Sequence, residues 1–124
     1  MHQSRLNALV IDCDVDDLHA ASRFWAGVVG REAVPPATPD SLYIDLAERA
    51  GELSLIVQKV DHSSRVHLDL ETDDVEAEVQ RLEKLGARRI ARVKDWWVLE
   101  APSGHRFCVV PARKPMTGEA NRWS

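Results

Sequence analysis

The sequence predicts an α+β domain made of two tandem copies of a β-α-β-β-β module. Two segments have the apolar spacing of amphipathic helices, and the segments around them are rich in β-branched and other apolar residues. The order of strand, helix, glycine, strands and turn glycine occurs twice. The interval also repeats, since Val10 precedes Asp17 by seven residues and His67 precedes Asp74 by seven.

The first helix is predicted to follow Asp14, Asp16 and Asp17, because carboxylates favour the N-terminus of a helix. Gly30 is a typical stop at its C-terminal end. The predicted apolar stripe consists of Leu18, Ala21, Trp25 and Val28.

The second helix is predicted to follow Asp73 and Asp74, with Glu76 three residues after Asp73 in a capping-box-like arrangement. Gly86 is expected to end this helix. The predicted apolar stripe consists of Val75, Val79, Leu82 and Leu85.

Most of the remaining chain predicts strands, because it is apolar and rich in β-branched residues. The predicted strands are residues 6–13, 42–46, 53–60, 66–70, 89–93, 96–99 and 107–110, with a short one somewhere in 31–34. Residues 35–39 contain three prolines and predict a loop, since proline cannot donate to a central ladder. Residues 112–124 lose the periodicity and predict a tail that is ordered if it docks.

Side chains alternate across a strand, which divides each first strand into two faces. The apolar faces, expected to lie beneath the helices, are Leu9, Ile11, Cys13 and Val66, Leu68, Leu70. The opposite faces are Val10, Asp12, Asp14 and His67, Asp69, Glu71. Polar residues on these opposite faces predict that they meet water or line a cleft.

Composition restricts the class of protein. The net charge is −4 with acids and bases interspersed, which gives no sign of a nucleic-acid or membrane-binding surface. No apolar run approaches the ~20 residues of a membrane span, and no signal-peptide pattern opens the chain, so a cytoplasmic location is expected. Cys13 and Cys108 are isolated, which predicts free thiols in a reducing compartment.

Three runs resemble the glyoxalase/bleomycin-resistance/dioxygenase group, often called the vicinal oxygen chelate superfamily. Residues 65–74, RVHLDLETDD, open a helix that closes at 85–87 and resemble the second module of glyoxalase-like proteins. Residues 101–110, APSGHRFCVV, resemble the closing hairpin of that family, and residues 17–30 resemble its first helix. The resemblance covers nearly all of the chain up to Pro111.

The resemblance implies one glyoxalase-like domain over residues 1–111, with modules at about 5–60 and 65–111. Each module would curl its part of a mixed sheet into a half-barrel with the helix outside. The two half-barrels would enclose a cleft for a small ligand. A homodimer is also expected, because members of the group commonly pair and exposed sheet edges invite pairing.

The resemblance also implies where a metal would bind. In metal-dependent members the ligands, usually two His with one or two Glu, lie on the first and last strands of both modules. The matching first-strand positions are Val10 and His67, and the last-strand positions, four residues after the turn glycines, are Leu55 and Cys108. Two of these four side chains cannot bind a metal, whereas a catalytic site usually has about three protein ligands. We therefore expect no tightly bound cofactor.

His67 is the first candidate for a catalytic residue, and a hydrogen-bonded strand histidine is the alternative interpretation. A non-standard metal site that combines His67 with Asp69 or Asp12 also stays open. A ligand-binding role for each Asp has two alternatives, a solvated surface position or a salt bridge.

Aromatic and thiol side chains complete the candidates for ligand binding. Trp96 and Trp97 are adjacent on a strand, so one is expected to pack beneath the helices and the other to offer a flat surface to a planar ligand. Both packing in the core is the alternative. Tyr43 could face the same ligand, and Cys108 is reactive only if a neighbour such as Arg106 lowers its pKa.

The sequence thus favours a protein that binds a small, planar molecule without the usual divalent metal. The alternatives are a lyase, isomerase or dioxygenase of the same superfamily that uses His67, and a module for protein association. The fold cannot choose between them, because function depends on the site.

Overall fold

The computed structural model describes residues 1–124 and contains two helices and eight strands. The helices are α1 (Leu18–Val29) and α2 (Val75–Lys84). The strands are β1 (His2–Cys13), β2 (Tyr43–Asp45), β3 (Ser54–Lys59), β4 (Arg65–Thr72), β5 (Arg88–Val93), β6 (Trp96–Glu100), β7 (Arg106–Pro111) and β8 (Asn121–Trp123). This order of elements confirms the predicted α+β fold class.

The strand order is β2-β3-β1-β4-β7-β6-β5, with β8 paired to β1. The sheet is mixed, because β1–β3 and β4–β7 are parallel pairs whereas β2–β3, β5–β6, β6–β7 and β1–β8 are antiparallel. It does not close into a barrel, since β2 and β5 each end the order. The predicted strand within residues 31–34 is reduced to a single bridge between Ala33 and Leu46.

The chain folds into two compact units. The first unit is residues 8–67, and the second combines Met1–Asn7 with Leu68–Ser124. The boundaries fall inside β1 and β4, so each of these strands contributes residues to both units.

α1 begins and ends as predicted. Asp17 is its N-cap and accepts a backbone hydrogen bond at 3.1 Å, and Gly30 ends it in a left-handed conformation with φ of 73°. The predicted stripe is wrong at Val28, which is 57% exposed, whereas Val29 packs against the core. Eleven residues separate Leu18 from Val29, which is about three turns, so these two side chains share a face.

The core of the first unit lies between α1 and one face of its strands. Its buried members are Ile11, Cys13, Leu18, Ile44, Leu46 and Val57. Burial raises the pKa of the Cys13 thiol, so this cysteine packs as a small apolar side chain. The prediction that Leu9, Ile11 and Cys13 face the first helix is confirmed.

The predicted capping box of α2 is wrong. Asp74 is the N-cap and accepts a hydrogen bond from the Ala77 backbone at 3.0 Å. Asp73 accepts instead from the Gln3 backbone at 2.8 Å. Glu76 turns outward and binds Arg89 of β5 at 2.6 Å. The choice between two adjacent aspartates therefore depends on contacts that are remote in sequence.

The core of the second unit consists of Val79, Leu82, Leu99 and Val109. Leu85 was predicted to extend the stripe but is 68% exposed, because α2 has ended at Lys84. The ten-residue α2 packs over β6 and β7 and reaches β4 at Leu70. Val66 and Leu68 are therefore 52% and 43% exposed, which corrects the expectation that the helix covers this whole face.

The two ends of the chain meet in the second unit, where β8 pairs with β1 and His2 lies opposite Trp123. Glu78 of α2 is fully buried and accepts hydrogen bonds from His2 Nε2 and from two nitrogens of Arg81, each at 2.8 Å. The Arg81 guanidinium lies 3.8 Å from the centroid of the Trp123 ring. The Trp123 indole N–H donates to Ser4 Oγ at 2.9 Å. This end of the predicted tail is therefore docked.

Candidate functional site

The site begins with a buried pair in the first unit. His67 Nδ1 donates to Asp12 Oδ2 at 2.6 Å, and the two side chains are 12% and 2% exposed. Of the alternatives for Asp12, the structure shows a buried pair with a basic side chain and not a solvated surface position. A carboxylate on Nδ1 fixes the tautomer of the ring and places the remaining lone pair on Nε2, where it can accept a proton or bind a cation.

A polar row extends from Asp12 across the first unit. The register places Asp12 beside Gln58 of β3, and Gln58 beside Tyr43 of β2. The Gln58 amide donates to the Tyr43 hydroxyl at 3.2 Å. The flanking residues Ile44 and Val57 point into the core, so alternation places the row on the opposite face of the strands.

Next to this row lies a mixed apolar and acidic row. Val10 pairs with Ile56, and Ile56 pairs with Asp45. Burial, with a smaller contribution from Glu48, raises the pKa of the Asp45 carboxyl. The face thus combines an apolar floor with several hydrogen-bonding groups.

In the second unit, Asp69 of β4 lies opposite Cys108 of β7, and Cys108 lies opposite Val98 of β6. Trp97 packs against the core, with the Arg89 guanidinium 5.0 Å from its ring centroid. Alternation therefore places Trp96, which is half-buried, on the same face as Cys108. Of the tryptophan pair, Trp96 is the one available to a ligand.

Two of the candidates lie on neighbouring strands of the second unit, since Asp69 of β4 and Cys108 of β7 are register partners. A carboxylate oxygen and a thiolate sulfur can both bind a metal ion, but two protein ligands are fewer than the three that a catalytic site usually has.

The four-ligand arrangement implied by the superfamily does not fit this chain. Val10 offers no donor atom, and its register partner is Ile56. The assignment of Leu55 to a ligand position is wrong in a second respect, because Leu55 packs against the core beneath α1. Gln58, the register partner of Asp12, lies seven residues after Gly51, whereas Cys108, the register partner of Asp69, lies four residues after Gly104. This difference is an odd number of residues, which moves a side chain to the other face of a sheet.

Two polar residues of the site were not among the candidates. Gln58 follows the alternation of β3 and could have been found from its place between apolar residues. Arg65 Nε lies 3.9 Å from Asp12 Oδ2, and this contact joins residues that the sequence separates by a whole helix and two strands. No local signal in the sequence indicates such a contact.

Comparison with family models identifies the same type of domain. A model described as a glyoxalase-like domain matches residues 8–110. No curated protein matches the chain. No helix in the structure has the length and apolar character that a membrane crossing requires.

Solved structures show a similar fold at low sequence identity. A hypothetical protein from Bacillus halodurans has a TM-score of 0.63 and 12% identity, over 93% of this chain and 99% of that one. Methylmalonyl-CoA epimerase from Mycobacterium tuberculosis has a TM-score of 0.60 and 16% identity, over 88% of each chain. A glyoxalase/bleomycin resistance protein/dioxygenase superfamily member from Vibrio splendidus has a TM-score of 0.58 and 16% identity, over 88% of this chain and 99% of that one.

Proposed function

Because this chain belongs to the glyoxalase-like domain family, we propose that it binds a small planar molecule without the divalent metal site of its superfamily. The observation that carries this proposal is the buried hydrogen bond between Asp12 and His67 at 2.6 Å. A buried carboxylate costs free energy, and an apolar pair of similar volume would serve folding as well or better. Polar groups kept at such a cost are typical of binding sites.

The second unit has an aromatic surface at Trp96. Its ring shares a face with Val98 and Cys108, which supplies apolar area beside the polar groups of β4. Apolar walls with a few fixed polar groups are the usual composition of small-molecule sites. A planar ligand would gain stacking energy on the indole in addition to the area that it buries.

We expect Trp96→Ala to weaken binding of such a ligand by about 1–3 kcal/mol, as for an aromatic anchor. Ligands are first found by screening aromatic and cationic compounds through the fluorescence of the four tryptophans. Affinity is then measured by calorimetry, because the substitution removes one fluorophore. Leu85→Ala is the control, since Leu85 is an exposed apolar residue just after α2. Equal affinities of the two variants would count against the proposed site.

An enzyme with His67 as general base is the second candidate. The Asp12 carboxylate at 2.6 Å orients the ring as it would for proton abstraction. In an enzyme, His67→Ala would preserve much of the binding but lower turnover by about 10²–10⁴-fold. In a binding protein, His67→Ala would lower the affinity for the ligand less than Trp96→Ala does. Comparing the effects of the two substitutions on affinity and on turnover therefore separates the candidates.

We expect the purified protein to contain well under one equivalent of Fe, Ni, Zn or Mn, because Val10 and Ile56 supply no ligand. Elemental analysis after size-exclusion chromatography measures this content. The proposal would fail if about one equivalent were present and were lost in His67→Ala. That result would identify His67 as a ligand of the metal, and the enzyme would become the better interpretation.

We also propose a cytoplasmic homodimer. Free Cys13 and Cys108 suit a reducing compartment. Phe24 and Val28, one turn apart on α1, are 63% and 57% exposed and supply apolar surface for association. Light scattering at micromolar concentration is expected to give twice the chain mass of 13.9 kDa. A mass equal to one chain would contradict this expectation.

A further inference from the structure

A row of three charged side chains crosses the second unit at the C-terminal end of β6. Arg88 of β5 and Arg106 of β7 are both register partners of Glu100 of β6. One oxygen of the Glu100 carboxylate accepts from Arg88 at 2.7 Å, and the other accepts from Arg106 Nε at 3.1 Å. These hydrogen bonds, first from Arg88 and then from Arg106, lower the pKa of the Glu100 carboxyl. Two guanidinium groups on one carboxylate leave the row with an excess of one positive charge.

The row is open to solvent and has donors to spare. The side chain of Arg88 is 69% exposed and that of Arg106 is 33% exposed. Arg106 donates to Glu100 through Nε, which leaves its two terminal nitrogens to donate to another group. A guanidinium presents these donors in a planar fork that matches a carboxylate. The row therefore offers both the room and the charge for an anionic group.

An apolar surface continues from this row along the same face of the second unit. The intervening residue Trp97 packs against the core, so alternation places the even-numbered residues of β6 on the face away from α2. The members of this surface are Ala91 and Val93 of β5, Trp96 and Val98 of β6, and Cys108 of β7. The two residues of β5 are exposed and the other three are half-buried. A flat ring can therefore reach this surface.

The spacing along β6 sets the length of a ligand that contacts both regions. Trp96 and Glu100 are four residues apart, which is about 13 Å at the usual rise of a strand. An arginine side chain covers part of this distance, so two fused aromatic rings with one anionic group can touch both ends. Asp69 is an acid on the same face, but it lies two strands and two residues from Glu100. That separation is roughly 12 Å, which exceeds the Debye length of about 8 Å, so the charge of Asp69 is largely screened at the row.

We propose that this face of the second unit binds the ligand as a flat aromatic anion, with its carboxylate at Arg88 and Arg106 and its rings along β6 from Val98 to Trp96. This inference rests on the proposed function, because it names the chemical class of the planar ligand. A carboxylate would accept charge-assisted hydrogen bonds from the free guanidinium donors. A cationic group would be repelled by the excess positive charge, and a neutral group would gain only ordinary hydrogen bonds.

Three probes of nearly equal shape test the charge preference. Naphthoate is a flat aromatic anion, naphthamide is its neutral analogue, and naphthamidinium is the cation. Calorimetry is expected to show that naphthoate binds about tenfold more tightly than naphthamide, and that naphthamidinium binds more weakly than both. If naphthamide or naphthamidinium binds as tightly as naphthoate, this inference is overturned while the proposed function stands. If no probe and no compound of a wider aromatic panel binds, both fail.

Three variants assign the preference to the named residues. Arg106→Gln removes one guanidinium and is expected to weaken naphthoate binding about tenfold, while naphthamide binding changes little. Arg92→Gln is the control, because Arg92 is an exposed arginine of β5 that pairs with Trp97 and therefore lies on the other face. Trp96→Ala is expected to weaken the binding of both probes by the same factor, since stacking on the indole does not depend on the charge of the ligand.

Thermal melting shows whether each variant is folded. The side chain of Arg88 is 69% exposed, so Arg88→Gln keeps the test decisive should Arg106→Gln fail to fold, and it is expected to weaken naphthoate binding severalfold. Unchanged affinity for naphthoate in a folded Arg106→Gln protein, or in Arg88→Gln if the former does not fold, overturns the inference. An equal loss of affinity in Arg92→Gln overturns it as well, because the effect would then come from net charge and not from the row.

Discussion

Replacing Glu78 with alanine is expected to lower the free energy of unfolding by about 3–5 kcal/mol, as is usual when one partner of a buried ion pair is removed. Glu78 is fully buried and bonds both His2 and Arg81 at 2.8 Å. Its loss would leave two basic groups without a partner at the place where the ends of the chain dock on α2. Urea denaturation followed by circular dichroism measures the change.

The matched control is Glu83→Ala. Glu83 lies on the same helix and binds Arg89 at 3.0 Å, but its side chain is 39% exposed. Exposed ion pairs contribute about 0–1 kcal/mol, so this variant is expected to unfold almost like the wild type. Similar losses of unfolding free energy in both variants would show that the buried Glu78 contributes no more to stability than the exposed Glu83.

The same network gives a dependence on pH. Burial raises the pKa of Glu78, but hydrogen bonds from Arg81, His2 and Ser4 together outweigh it and leave the pKa below its ordinary value of 4.5. A carboxyl with a lowered pKa contributes stability above its unfolded-state pKa and loses it as the pH falls through its folded-state pKa. The wild type is therefore expected to lose stability below about pH 4.5, and Glu78→Gln to lose less over that range.

The second large effect is expected in the core of the second unit. Leu99→Ala should cost about 2–5 kcal/mol, because Leu99 is fully buried among Val79, Leu82 and Val109 and its removal leaves a cavity. Leu85→Ala is the control, since Leu85 is 68% exposed and should change stability by less than about 0.5 kcal/mol. Urea denaturation measures both. A large loss of unfolding free energy in Leu85→Ala would show that Leu85 is buried, as the predicted apolar stripe of α2 requires.

Local features of the sequence were sufficient for most of the fold. The aspartates before each helix, the glycines after them and the alternation along β1 and β4 act over a few residues, so single segments reveal them. The errors fall at the ends of these segments. Val28 was counted in the apolar stripe of α1, but it lies on the exposed side, because each residue of a helix is turned by about 100° from the one before. Leu85 was counted in the stripe of α2, but the helix has already ended at Lys84.

The candidate site could be predicted less well from local features of the sequence. His67 and Asp12 could be placed on polar faces, but their hydrogen bond spans 55 positions of sequence and depends on how β1 and β4 run. Glu78 was missed altogether, since a glutamate in a helix is normally exposed and its partner His2 lies 76 positions away. Leu55 was placed on the wrong face, because the distance from the turn glycine to the strand differs between the modules by an odd number of residues, which counting from the glycine cannot detect.

The pairing of β8 with β1 has a practical consequence for rearranging the gene. Because His2 and Trp123 are register partners, the ends of the chain lie within roughly 5 Å of each other at that point. A short linker could join them, and new termini could be opened in the proline-containing segment between α1 and β2, which carries no strand. Circular permutation of this kind succeeds at exposed loops, so the order of the secondary-structure elements in the polypeptide can be changed while their packing is retained.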